Sequence, residues 1–494
     1  MKQLLFLAAI AIYLGSAVYP GAALEWAVSA LSFLIVVIAF FSAGKFVRAI
    51  GGVFLAVGFG LLAVYKASPA DMLLSFGYMM NVLSLFALIP LIALPIELGR
   101  YGVRVQAAVR ARVRSSGMLY ALTSFLSYVF CSFMNLGALP MVHQTIRPSL
   151  KLFPIRERDR FISRAITHGY SMPVIWTPVS PILGIVVEMT GVRWSALLPI
   201  VIPLSLLGLA LDWAIAMWIA NRRRKQAGVS AASELSEAAS GRSEAASELS
   251  EAASEVSAAA EVTEARGQAP VKPADENAGS QAKHPAHIFA AILIFNVLVS
   301  LLELLTHVSF LLLVSMTVIP FAFLWSLLIG QGLSFIRRAR TRLPEQVLRM
   351  QDQFLVYLSA GFMITAIQST GAGRVLNSGL GTFKDAIGAD LFLLFIPLIP
   401  LGLAFVGLHP AVGLALAAES LDPAALGISP QITAIAMLTG ATTAFLMGPY
   451  NATAGIMAGL INRSPYKVSN WNAPFTAAYL AMSTIVLLIL QKGG

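Results

Sequence analysis

The chain has 494 residues, 57% hydrophobic and 12% charged, with a mean hydropathy of +0.78 and a formal net charge of +10. A soluble domain carries about a quarter charged residues, so this balance excludes a water-soluble enzyme, a nucleic-acid binder and a disordered regulator. Residues 226–285 hold 10 of the 24 acidic side chains, and the rest of the chain sets 30 basic residues against 14 acidic ones, gathered between long apolar runs. That is the pattern of a polytopic membrane protein.

A membrane-spanning helix needs roughly 20 mostly apolar residues. In chain order, apolar stretches lie at 4–19, 22–42, 50–65, 71–97, 116–146, 161–190 and 194–220, then at 286–303, 305–332, 350–370, 388–424, 430–461 and 471–490. The first follows Lys2 as a signal peptide would, but no small-residue cleavage site follows it, so an uncleaved helix over 1–21 is expected. The stretch 116–146 is too long for one crossing and contains Asn135, Gly137 and Pro140 near its middle. Arginine-rich loops flank it on both sides, at Arg100–Arg114 and Arg147–Arg164. Short loops rich in Lys and Arg stay in the cytoplasm, so 116–146 should enter and leave by one face, as a re-entrant hairpin.

The stretch 388–424, broken by Pro397, Pro400, Gly407 and Pro410, is read the same way. With both hairpins in place, 25 of the 30 basic residues beyond the insert fall on the cytoplasmic side. The expectation is an all-α polytopic membrane protein with eleven crossings and two re-entrant hairpins, its N-terminus inside and C-terminus outside a cell membrane. Between the halves, residues 221–285 are Ser/Ala/Glu-rich and repeat ASELSEAAS at 232–240 and 246–254. Few large apolar residues leave little to bury, so a disordered or marginally helical cytoplasmic linker is expected there. The lone cysteine, Cys131, excludes an internal disulfide framework.

The two halves echo each other. Gly137, Pro140 and Val142 match Gly407, Pro410 and Val412 at an offset of 270. Ala165, Gly169, Pro178, Gly184 and Ile185 match Ala436, Gly440, Pro449, Gly455 and Ile456 at an offset of 271. By the charge pattern the copies face opposite ways, so 22–220 and 286–494 form an inverted repeat. Each holds a hairpin and a crossing broken by Pro178 or Pro449, since proline lacks an N–H and clashes with the preceding turn. Inverted repeats with interrupted helices meeting at the bilayer midplane are a common plan of secondary transporters.

This layout resembles the ion transporter superfamily, which includes divalent anion/sodium symporters and arsenite permeases; the Gly-rich segment at 358–381 adds to the likeness. The resemblance covers about 22–220 and 286–490. It implies a secondary transporter of a small anion, driven by sodium or protons, working by elevator-like motion and forming a homodimer. The Ser-Asn-Thr signature of the divalent anion symporters is replaced by Cys-Ser-Phe-Met-Asn at 131–135 and Gly-Leu-His-Pro at 407–410. The acidic residue expected near the arsenite permease hairpins is missing as well.

Cargo and ions in such a plan are held by uncharged oxygens and exposed backbone at the breaks. The first candidate site comprises Ser132, Asn135 and Gly137 with Thr177 and Ser180. Its symmetry counterpart comprises Gly407 and His409 with Tyr450, Asn451 and Thr453. The alternative role for all of these is to cap half-helices. Ionisable residues at membrane depth are functional candidates by default, which adds His168, Glu188 and Asp212 as proton relays and His143 nearer the hairpin's end. No metal-ligand spacing or cofactor motif is present, so no cofactor is expected beyond sodium as a coupling ion. A cation/proton antiporter is the alternative within transport, although it normally needs a buried carboxylate. A scaffold, or an enzyme assembled from Ser132, His168 and Asp212, is the alternative outside it.

Overall fold

The computed structural model describes residues 2–102, 104–105, 113–153, 155–248, 283–284, 286–306, 308–421 and 423–493. Among them the regular structure is helical throughout, without a strand. Among the described residues ten helices are long and apolar enough to cross a membrane, eleven if the bent pair Gln351–Thr370 and Ala372–Ile387 counts as one. Large apolar side chains such as Phe41, Val64 and Leu328 stay more than 75% exposed on their outer faces, as expected when lipid is the solvent.

The first half contains α1 (Lys2–Val18), α2 (Ala22–Ser42), α3 (Lys45–Val64) and α4 (Pro69–Leu98). It continues with α5 (Ser116–Met134), α6 (Ala138–Ile146), α7 (Arg158–Ser171), α8 (Pro181–Thr190) and α9 (Trp194–Glu248). The second half contains α10 (Ala286–Leu305), α11 (Phe310–Leu328), α12 (Gly332–Arg349), α13 (Gln351–Thr370) and α14 (Ala372–Ile387). It ends with α15 (Ala389–Val406), α16 (Pro410–Ser420), α17 (Pro430–Met447), α18 (Ala452–Ile461) and α19 (Pro465–Gly493).

Both expected hairpins turn back on themselves. Asn135 lies level with Tyr170 at the end of α7, and α6 still packs along α7, so the chain reverses at Asn135. In the second hairpin Leu403 packs on Gly413 across the turn at Gly407, whose φ of 102° favours glycine. The paired glycines make the same contact in both halves. A Cβ on Gly169 would stand 2.1 Å from the Ser124 carbonyl oxygen of α5, and one on Gly440 would stand 2.6 Å from the Pro397 carbonyl oxygen of α15. Small residues of this kind let helix backbones approach where lipid supplies no hydrophobic drive between helices.

Two segments differ from expectation. Arg337 to Arg349, left between the apolar stretches 305–332 and 350–370, belong to the amphipathic helix α12, in which Phe335 and Val347 are buried while the arginines stay outside. Arg374 and Lys384, left between the apolar stretches 350–370 and 388–424, belong to the helix α14, bent 83° from α13. Helix α9 runs on to Glu248 and takes in the first ASELSEAAS copy of the linker expected to be disordered or marginally helical; residues 249–282 lie outside the described residues. Without large apolar side chains, nothing in the sequence distinguished a solvated helix from coil there.

Polar contacts also join the ends of separate helices. Lys2 reaches Ser42 at 2.7 Å, Glu97 pairs with Arg342 at 2.7 Å, and Arg463 pairs with Asp159 at 2.8 Å.

Candidate functional site

The first break is the joint between α7 and α8. Proline at 173, 178 and 181 prevents a continuous helix there, and the freed backbone must be paired inside the protein. Helix α9 supplies the partners: Ser205 donates to the Met172 carbonyl at 2.8 Å and the Trp194 indole to the Trp176 carbonyl at 2.9 Å. Thr177 donates to the Ser132 carbonyl at 2.7 Å, tying the break to the first hairpin.

Above this joint is a small, nearly closed chamber of about 10 Å³, room for about one water molecule. Asn135 reaches it from the first hairpin tip, Thr177 and Ser180 from the first break, and His409 from the second hairpin tip. Tyr170, Cys131, Phe86 and Phe445 complete most of the wall. Asn135 is held in a strained conformation (φ 47°, ψ −130°) while its side-chain oxygen accepts from the Tyr170 hydroxyl at 2.9 Å. Backbone strain of this kind costs about 1–3 kcal/mol and gathers at functional positions. Ser180 takes the N-cap position of α8 but makes no side-chain capping bond, which leaves its hydroxyl to the chamber.

His409 is oriented by two neighbours. The Ala411 amide donates to Nδ1 at 3.2 Å, and the Tyr357 hydroxyl lies 2.8 Å from the same nitrogen. With Nδ1 accepting, Nε2 carries the proton and is the free donor. The N-termini of α8 and α16 both end at this wall, at Ser180–Ile182 and His409. Helix N-termini carry partial positive charge, and no carboxylate lines the chamber among the described residues. Its chemistry suits an anion.

The expected second site does not assemble as its own chamber, because His409 faces the first. The last four carbonyls of α17, at the second break, all accept from side chains, that of Ala444 from the Gly448 amide as well. Asn451 donates to those of Ala444 and Phe445, Asn472 to that of Leu446, and Ser469 to that of Met447. Asn451 also caps α18 through the Ala454 amide, so its amide serves the break itself. Thr453 is buried beside Tyr170. Tyr450 is half exposed, stacked on Phe46 and bonded to Tyr466. Gly407 packs on Phe46 rather than on the chamber. Ser132 turns its hydroxyl back to the Tyr128 carbonyl at 3.0 Å, and Gly137 lies in the hairpin turn outside the wall.

Two of the three relay candidates meet. His168 Nδ1 is 2.6 Å from Asp212 Oδ1, and both side chains are wholly buried. Tyr120 and Ser124 of the first hairpin donate to the two carboxylate oxygens at 2.8 and 2.9 Å. On its other side His168 Nε2 lies 3.2 Å from the Asn472 side-chain oxygen, and the ring stacks on Phe475. Both ring nitrogens thus face side-chain oxygens. Glu188 lies elsewhere, at the far end of α8, held by Asn81 at 2.6 Å and by Ser309. His143 is buried in the last turn of α6.

Tyr357, Tyr170, Tyr120 and Asn472 escaped the sequence reading. Each takes its partner from a helix 35 to 304 residues away in the chain, a separation that no local pattern reveals.

No protein-family model matches the chain, and no curated protein matches it. Its fold is that of a membrane transporter of known structure. The chain is similar to the Alcanivorax borkumensis YdaH transporter, with a TM-score of 0.58 and 14% sequence identity, over 89% of this chain and 97% of that one. At that identity the likeness is one of fold.

Proposed function

We propose that the chain is a secondary active transporter that carries a small anion through the chamber between its two hairpin tips. The observation that carries this reading is the convergence of Asn135, Thr177, Ser180 and His409, from three separate interruptions of the fold, on one cavity. Two half-helix N-termini, a histidine N–H and an absence of lining carboxylates favour a negative cargo. The fold shared with the YdaH transporter supports transport as the activity, and the resemblance to the ion transporter superfamily points the same way. Equivalent contacts at Gly169 and Gly440 support an inverted repeat whose hairpin-bearing parts move together, elevator fashion. A homodimer in the cell membrane, with the N-terminus in the cytoplasm, completes the proposal.

The buried His168–Asp212 pair favours protons over sodium as the driving ion, because it is a titratable pair held at depth with no other assigned role. Uptake of a panel of small anions into proteoliposomes, under imposed proton or sodium gradients, tests both claims. Uptake that ignores every ion gradient overturns active transport.

Cation/proton antiport is the second reading, and Asp212 is the observation that favours it: a fully buried carboxylate of the kind such exchange uses. Under that reading Asp212→Asn abolishes cation-driven proton release from vesicles, and no anion is moved.

A further inference from the structure

A second cavity, of about 780 Å³, opens at the arginine-rich end of the bundle, away from the chamber. It lies where the end of α4, the start of α10 and the start of α12 come together; the Lys283 amide ties them by donating to the Gly99 carbonyl at 3.0 Å. Arg100, Arg104, Lys283, Arg337 and Arg338 line it with one acid, Glu97. That acid is already engaged, 2.7 Å from Arg342 and 3.9 Å from Arg338. Arg100, Arg104, Lys283 and Arg337 have no carboxylate partner among the described residues. Arg100 is also held at φ 50°, a conformation non-glycine residues rarely adopt. Four unpaired cations around one cavity repel one another, and an anion placed between them relieves the repulsion.

The rim indicates what kind of anion. Leu328, Leu333 and Ile336, which flank the lining residues Ile329, Gln331 and Arg337, are 79%, 83% and 50% exposed. A helix that presents arginines beside bare aliphatic side chains is built to lie at a lipid interface. A soluble phosphate needs the cations alone; a phospholipid uses the aliphatic rim as well. We infer that this cavity binds the phosphate headgroup of an anionic phospholipid whose acyl chains run over Leu328, Leu333 and Ile336. The chamber plays no part in this site.

The test is thermal unfolding of the purified full chain with added phosphatidylglycerol, phosphatidylcholine or inorganic phosphate. Phosphatidylglycerol is expected to raise Tm by about 4 °C over phosphatidylcholine, a shift that mass action on the folded state would give. The triple variant Arg100→Gln, Arg104→Gln, Arg337→Gln loses most of that shift, and Leu333→Ser loses part of it. A control triple at the exposed Arg156, Arg340 and Arg349 removes the same charge elsewhere and keeps the shift. An equal shift from inorganic phosphate overturns the lipid assignment in favour of a soluble anion. An undiminished shift in the lining triple, or none in the unaltered protein, overturns the site.

Discussion

His168 Nδ1 lies 2.6 Å from Asp212 Oδ1 with no solvent on either side chain. Asn472 extends this contact: it faces His168 Nε2 and donates to the Leu446 carbonyl at the second break. A titratable pair in one half of the chain is thereby joined to the interrupted helix of the other. Removing one partner of a buried pair leaves an uncompensated charge and costs about 3–5 kcal/mol, whereas replacing both is often nearly neutral. Asp212→Leu is therefore expected to lose about 3 kcal/mol and the Asp212→Leu/His168→Leu double variant much less, read from unfolding of the purified proteins. A double variant no more stable than the single one contradicts the pairing.

The same pair governs a second measurement. Asp212→Asn keeps the shape but not the charge: its one carbonyl oxygen still accepts from Tyr120 or Ser124, and its amide donates to the other hydroxyl. Under the transport proposal its uptake no longer responds to an imposed proton gradient, while binding of the cargo at equilibrium persists.

Glu188 provides the contrast. Clamped by Asn81 and Ser309, it acts on helix packing, so Glu188→Gln should lower Tm and leave the proton response of transport intact. A flattened response in this variant would return Glu188 to the relay.

At Asn135 the backbone and side chain can be separated. Asn135→Gly and Asn135→Ala both lose the bond to Tyr170, but only glycine accepts φ 47° freely. The glycine variant should be about 1 kcal/mol more stable than the alanine variant. Both should bind cargo several-fold more weakly, as loss of one polar contact of roughly 1 kcal/mol implies. Equal stability of the two variants would show that the turn relaxes.

Tyr357 is expected to act through His409. Tyr357→Phe removes the hydroxyl that fixes the ring and should weaken cargo binding by roughly fivefold, the equivalent of one hydrogen bond. His409→Ala, which also removes the donor, should weaken it further; unchanged binding in His409→Ala would take the second hairpin tip out of the site.

The two glycines at the hairpin crossings give a test of packing. Gly169→Ala and Gly440→Ala force a methyl against a carbonyl oxygen and should each cost about 1–3 kcal/mol. Gly455→Ala, with nothing within 4 Å of its added methyl, should be neutral or slightly stabilising.

Much of this molecule was readable as text because a bilayer leaves the chain few choices. Backbone polar groups must be paired within the protein, so apolar length announces a helix. Proline and glycine inside such a run announce a break or a turn, which is how the hairpins at Asn135 and Gly407 and the breaks near Pro178 and Pro449 were placed. The arginine-rich helix α12 and the amphipathic α14 were missed, since an interfacial helix has neither a long apolar run nor a loop's composition.

Sequence by itself thus determined the class of the protein, the positions of its interruptions and the polar residues at them. Tertiary structure alone decided which of those residues share a space. It brought His409 to the first chamber and gave Asn451 to the last carbonyls of α17. It also joined His168 to Asp212 across 44 residues of sequence. The reason is physical: periodicity and proline act within a few residues of chain, while a buried polar atom takes its partner from whichever helix packs nearest, and that choice is made only when the bundle closes.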